Sequence, residues 1–220
     1  MSLIDYSPYT SCVVFLSGCN FRCGFCQNPE LLVEVDKTPT ISEEELFGFL
    51  SKRKKWLDGV VITGGEPCLY SELPLFVKKV KEMGYKVKID TNGSNPAMLK
   101  ELVELVDCVA MDIKGSLDRY DEVAGIKVDK EKIKESVKVL MESGVEHEFR
   151  MTCVPGLVSK GDFDKIGKWL KGAKKFFIQQ FRNKTCLDTS FEKVKPFSKE
   201  ELEEFKGILE KYIDEVEIRA

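Results

Sequence analysis

Apolar residues recur along this chain with two alternating periods. Short runs, SCVVFL (11–16), GVVIT (59–63), YKVKIDT (85–91), DCVAMDIK (107–114), HEFRMTCV (147–154) and KKFFIQQF (174–181), are apolar throughout or alternate with period two and predict β-strands. Between them lie segments whose apolar positions fall three and four apart, which predict amphipathic helices. SEEELFGFLSKRKKW (42–56) opens with a capping box, Ser42 with Glu45 three residues on. SELPLFVKKVKEMG (71–84) closes on Gly84, PAMLKELVELV (96–106) carries Pro96 in its first turn, and VDKEKIKESVKVLMESG (128–144) stops at Gly144. SLDRYDEV (116–123) predicts a short helix, DFDKIGKWLKG (162–172) and SKEELEEFKGILEKYI (198–213) two longer ones, and EVEIRA (215–220) a last strand.

Strict alternation of strand and helix implies parallel strands joined by right-handed crossovers. A complete eightfold barrel takes about 250 residues. The 220 residues here predict an incomplete TIM-type α/β barrel of about six βα units and a seventh strand, a single domain over 1–220. The segment at about 198–213 is expected to pack on its outside. An open doubly wound sheet is the competing architecture.

Polar residues gather where these strands end. GVVI runs into Thr63, Gly64, Gly65, Glu66 and Pro67; KVKI into Asp90, Thr91, Asn92 and Gly93; CVAM into Asp112, Ile113 and Lys114; HEFR, which ends at Arg150, into Met151 and Thr152; and FFI into Gln179 and Gln180. In parallel α/β folds these ends share one face, where active sites form. Helix capping and turn chemistry account for Asn92-Gly93. They account poorly for Glu66, Asp90, Asp112 and Lys114 together, since charges brought so close are costly unless a ligand or ion unites them. A polar ligand at this face is therefore expected. Gly64 and Gly65 would let it approach the backbone, and Glu66 could hold an ammonium group.

Composition narrows the class. The 34 basic and 37 acidic residues leave a net charge of −3 and are interleaved along helices, as in KKVKEMG, so solvated helix faces are expected and a nucleic-acid surface is not. No apolar run has transmembrane length, and the opening MSLIDYSPYT lacks the basic and apolar regions of a signal peptide, which predicts a cytoplasmic protein without a membrane partner. Eight cysteines in such a context argue against a disulfide framework. Cys12, Cys108 and Cys153 lie in strand-like runs as buried small hydrophobes; Cys68 and Cys186 fall in loops and carry no assigned role.

The other three, Cys19, Cys23 and Cys26, form C-x3-C-x2-C in the loop at 17–30, GCNFRCGFCQNPEL spanning most of it. Four thiolates complete a zinc site or cap every iron of a four-iron cluster, whereas three leave a position open. A structural zinc site would need a nearby fourth ligand, but the single histidine, His147, lies in a distant strand and Cys68 beyond a predicted helix and strand. Soft ligands with one open position fit a [4Fe–4S] cluster. Three redox-active cysteines are a further option that leaves the strand-end residues unexplained.

The triplet with Phe25 before its last cysteine, followed by a strand ending in GGEP and, in order, by IDTNG, AMDIK and VPG, resembles the radical S-adenosylmethionine superfamily from about residue 12 to 182. Its finer wording, VVITGGEPCL, VKIDTNGSNP, LVDCVAMDIKG and IQQFR, resembles the activating proteins of anaerobic ribonucleoside-triphosphate reductase. These are glycyl-radical-enzyme activases, like the pyruvate formate-lyase activator. The resemblance implies that Cys19, Cys23 and Cys26 ligate one [4Fe–4S] cluster and that S-adenosylmethionine takes its fourth iron. Phe25 and the backbone around Gln27 would lie near the adenine, and Gly64, Gly65 and Glu66 would receive the methionine ammonium. Asp90, Thr91 and Asp112 match positions that can hold a monovalent cation beside the methionine carboxylate, with Lys114 close to it. Arg150, Thr152 and Gln180 would reach the ribose or carboxylate. One electron would split the sulfonium into methionine and a 5′-deoxyadenosyl radical, which would take a hydrogen from a glycine Cα of a partner enzyme, work that needs no general acid or base.

Two features depart from the family pattern or limit it. Gln27 stands where many relatives carry histidine, so its side chain is given no cluster role. The stretch between Cys26 and Gly64 contains no cysteine, which implies a single cluster and an external electron donor, a flavodoxin or ferredoxin. The rival readings are an activase of another glycyl-radical enzyme, a small-molecule enzyme such as a 7-carboxy-7-deazaguanine synthase, and a non-enzymatic zinc or metal-binding protein. The last gives GGEP and the aspartates no role.

Overall fold

A computed structural model describes residues 1–33 and 35–219, and the backbone alone of residue 36; Ala220, the end of the predicted last strand, lies outside the described residues. Seven strands form one all-parallel sheet: β1 (Ser11–Leu16), β2 (Gly59–Gly64), β3 (Lys86–Thr91), β4 (Cys108–Asp112), β5 (Glu146–Cys153), β6 (Lys175–Gln180) and β7 (Glu215–Arg219). Their order in the sheet is their order in sequence. A doubly wound sheet would reverse direction at a switch point. This sheet advances one strand at a time as a barrel does, and β1 and β7 do not pair, so it stays open. That is the incomplete barrel expected, with the seventh strand present.

The crossovers carry α1 (Glu30–Val33), α2 (Glu43–Lys52), α3 (Leu73–Glu82), α4 (Pro96–Leu102), α5 (Tyr120–Ala124), α6 (Lys130–Ser143), α7 (Lys160–Trp169) and α8 (Lys199–Leu209). Local chemistry sets their ends. The Ser42 and Glu45 side chains each accept from the other's backbone at the start of α2, as Ser198 and Glu201 do at α8. Gly144 takes a left-handed conformation to end α6. The last helix lies beside α7, where Phe163 and Phe205 stack with centroids 4.3 Å apart.

Strand parity divides the sheet into two faces. Val87 and Ile89 of β3, Val109 and Met111 of β4 and Phe149 and Met151 of β5 are fully buried in one core with Leu50, Val77, Leu102, Leu140 and Ile166 from the helices. The alternate residues face the concave side, and many are polar. Near the strand starts Lys88, 3% exposed, pairs with Glu148 at 2.9 Å. Above Tyr6, Val61 and Cys108, a small second cluster, Asp90 and Arg150 belong to a second charged layer. Cys12, Cys108 and Cys153 are all buried, as their apolar surroundings predict.

Candidate active site

The concave face opens at the C-terminal strand ends into a cavity of about 210 Å³. Cys19, Cys23, Phe25, Cys26 and Gln27 of the loop after β1 line one side of it. Gly64, Gly65, Glu66, Asp90, Thr91, Asp112, Lys114, Arg150 and Thr152 line it too, as do Thr63 and Asn92 beside them. Residues nominated independently, by a cysteine spacing and by strand-end polarity, thus share one cavity.

The floor is a connected string of charges. Arg150 hydrogen-bonds Asp112 through Nε and reaches Asp90 Oδ2 through Nη1 at 3.0 Å, while Lys114 Nζ lies 3.0 Å from Asp112. Burial alone would raise the Asp112 pKa, but the charges and hydrogen bonds of Arg150 and Lys114 hold it well below the usual carboxylate range. Burial likewise opposes the charges on Lys114 and Arg150, and Asp112 keeps both pKa values above their usual levels. The other oxygen of Asp90, Oδ1, is buried and has no hydrogen-bond partner among the described residues. A bound cation or donor would complete it.

Glu66 is tied inward. Its Oε1 accepts from the Cys68 amide at 2.9 Å and the Thr91 hydroxyl at 2.7 Å, and its Oε2 accepts from the Asn92 amide at 2.6 Å. Burial pushes its pKa up against these hydrogen bonds. This carboxylate therefore clasps the end of β2 to the end of β3, beyond the ammonium contact expected of it. The two glycines before it serve the backbone too. Gly64 sits at φ +121°, paired with Leu16, and a Cβ on Gly65 would fall on the Gly18 carbonyl oxygen. Glu66 N donates to that same carbonyl at 2.8 Å, so the pair lets the root of the cysteine loop lie directly on the end of β2.

The thiols meet distinct surroundings. The Phe21 amide donates to Cys19 Sγ at 3.3 Å, and Asn92 Nδ2 lies 3.9 Å from the same sulfur while donating to Asn20 Oδ1 at 2.9 Å. Burial pushes the Cys23 thiol up to about 11, with Lys114 opposing. Among the described residues no three His, Cys, Asp or Glu side chains close around a point that one metal ion could occupy. Cys19, Cys23 and Cys26 all line the cavity, and three soft thiolate donors, with hydrogen bonds to the Cys19 sulfur, fit a multi-iron group bound by one thiolate per iron. Asn92 and Asn20 were missed by sequence reasoning; the signal available was the asparagine in each of the motifs GCN and DTNG.

The structure does not bring Gln180 to this cavity. It pairs in register with Cys153, while Thr152 pairs with Gln179, so parity turns Gln180 towards the helices. Its amide donates to the Phe197 carbonyl at 2.7 Å.

A family model described as the radical SAM superfamily matches residues 13–170. The chain belongs to that superfamily. It is accordingly an enzyme of radical S-adenosylmethionine chemistry, using a [4Fe–4S] cluster and S-adenosylmethionine. Over its whole length, and 93% of the relative's, it is 36% identical to a Methanocaldococcus jannaschii protein named "Putative glycyl-radical enzyme activating enzyme MJ1227". It is 31% identical to the pyruvate formate-lyase-activating enzyme of Clostridium pasteurianum, over 79% of the chain and 74% of that protein. A shorter likeness, 40% over 38% of the chain and 36% of the relative, joins it to the 7-carboxy-7-deazaguanine synthase of Aquifex aeolicus. Among solved structures, Streptococcus suis SuiB bound to S-adenosylmethionine has the same fold, with a TM-score of 0.74 at 15% identity over 96% of this chain. The chain spans 50% of SuiB. Among the described residues no helix is long and apolar enough to cross a membrane.

Proposed function

We propose that this radical S-adenosylmethionine enzyme is an activase that installs a glycyl radical on a partner enzyme, an anaerobic ribonucleoside-triphosphate reductase. The observation that carries the activase reading is the full-length likeness to the M. jannaschii protein, whose name assigns it that role. The wording of the strand-end motifs favours the reductase as partner. Bound by Cys19, Cys23 and Cys26, the cluster would supply the electron that cleaves S-adenosylmethionine. The protein's own part is to hold and orient. Lys114 and Arg150 offer positive charge to a carboxylate, Glu66 and Asp90 negative charge to an ammonium or cation, and Phe25 an apolar surface to the adenine. The electron donor is an external flavodoxin or ferredoxin, and the setting is cytoplasmic.

The test uses anaerobically reconstituted protein reduced with dithionite in the presence of S-adenosylmethionine. Formation of 5′-deoxyadenosine is expected, and Cys23→Ala should abolish it. A glycyl EPR signal should then develop on the reductase. Cleavage with no radical on the reductase but one on pyruvate formate-lyase would move the partner. Cleavage with no radical on either, and turnover of a small substrate, would favour the second reading, which the shorter likeness to 7-carboxy-7-deazaguanine synthase supports.

A further inference from the structure

After β6 the chain does not run directly to α8. Residues 182–197 cross the cysteine loop and return, and the crossing is fastened at several points. Gln27 Nε2 donates to the Arg182 carbonyl at 2.7 Å. The Leu187 amide donates to the Cys26 carbonyl at 3.0 Å and the Asp188 amide to the Gly24 carbonyl at 2.8 Å. The Phe191 ring lies against Gly24 and meets Phe25 edge-on, with centroids 6.3 Å apart. The crossing is braced internally, Ser190 N donating to Asp188 Oδ1 at 2.9 Å and Cys186 N to Glu192 Oε1 at 3.2 Å. The bond from Gln180 to the Phe197 carbonyl closes its base.

We infer that residues 182–197 are a strap that sets the conformation of the cysteine loop, with Phe191 as its positioning residue. The part that concerns the cofactor rests on the reading of Cys19, Cys23 and Cys26 as cluster ligands; the part that concerns the loop does not. Gly24 and Phe25 stand between the ligands Cys23 and Cys26, so what fixes them fixes the distance and direction between two thiols. A Cβ on Gly24 would come 2.5 Å from Phe191 Cε2, so the ring fills the space a side chain would need. Phe25 is 7% exposed and lines the cavity, so its edge contact with Phe191 couples the strap to the ligand-facing wall. Gln27, directly after the third cysteine, is the strap's tie. Its side chain therefore has a place in the structure that motif reading did not supply.

Two measurements test this on the full chain. In cluster-free protein, Phe191→Ala should speed amide exchange at residues 19–27 by about tenfold or more while β3 and β4 stay protected. After reconstitution the same variant should raise KM for S-adenosylmethionine by about fivefold with a smaller change in kcat, and Phe191→Leu should recover part of the loss. Gly24→Ala should be about as impaired as Phe191→Ala, and the double variant no worse than the weaker single, because both act on one contact. Unchanged exchange in Phe191→Ala, or additive defects in the double variant, would overturn the proposal. Should Phe191→Ala open β3 and β4 as well, Phe191→Leu must show the local increase alone, and its absence overturns the proposal equally. If wild type takes up no iron and sulfide, the proposed function fails while the exchange measurement still decides the strap. If wild type cleaves S-adenosylmethionine and Phe191→Ala matches it in exchange and KM, the strap alone fails.

Discussion

Replacing Glu66 by glutamine removes a charge and almost no volume, and the hydrogen bonds around it set the cost. Oε1 receives two donors, from Cys68 and Thr91, and Oε2 one, from Asn92. The new amide keeps its oxygen where two donors converge, which turns its NH2 towards the Asn92 N–H, donor against donor. Losing a hydrogen bond to a charged acceptor and stranding a buried amide costs about 2–4 kcal/mol. Relief from burying a carboxylate returns part of that, since burial already pushes the Glu66 pKa up. The net is about 1–3 kcal/mol, and at about 2–4 °C per kcal/mol for a chain of this size Tm should fall by about 2–12 °C. Thermal and urea unfolding of the cofactor-free protein read this directly. A loss below about 0.5 kcal/mol with a raised KM for S-adenosylmethionine would refute the clasp and leave Glu66 only a ligand contact.

Serine at Cys19, Cys23 or Cys26 should each strip iron from reconstituted protein, whereas Cys186→Ser, whose Sγ lies 3.1 Å from the Lys184 carbonyl, should keep the full complement; iron and sulfide analysis decides. Gly65→Ala forces a Cβ onto the Gly18 carbonyl and should cost about 2–3 kcal/mol of stability together with cluster uptake, read by urea unfolding and iron content. The Asp112 pKa is depressed by folding, so its contribution is present above the unfolded value of about 3.9 and is lost as pH falls through the lower folded value. Asp112→Asn should therefore flatten the acid limb of a stability–pH curve below about pH 4 and lower stability at pH 7; an unchanged limb would count against the charge string.

The alternation of strand and helix was legible because each period is local, whereas strand order was left between a barrel and a doubly wound sheet and is decided by the strand pairings. Cavity residues such as Asp112, Arg150 and Thr152 were legible because strand ends share a face. What was illegible depended on register or on contacts far apart in sequence. Gly64-Gly65 read as room for a ligand, yet the close approach is by the backbone at Leu16 and Gly18, which only the pairing of Leu16 with Gly64 reveals. Gln180 shared the polarity of the other strand ends but lies one residue out of phase with Thr152. Asn92 read as a turn former, and its reach to Asn20 and Cys19 requires two loops that meet only in the folded chain.

The strap also fixes an order of events during synthesis. Each strand pairs with the next in sequence, so the sheet can grow as βα units emerge from the ribosome. Gln27 and its partner Arg182, however, are separated by 155 positions, and the amides that hold the Gly24 and Cys26 carbonyls belong to Asp188 and Leu187. A nascent chain ending at residue 180 would own all three loop cysteines and every charged residue that lines the cavity, but not the residues proposed to seat the loop. If residues 182–197 seat the loop as proposed, iron would enter a correctly shaped loop only after all but the last helix and strand have been made.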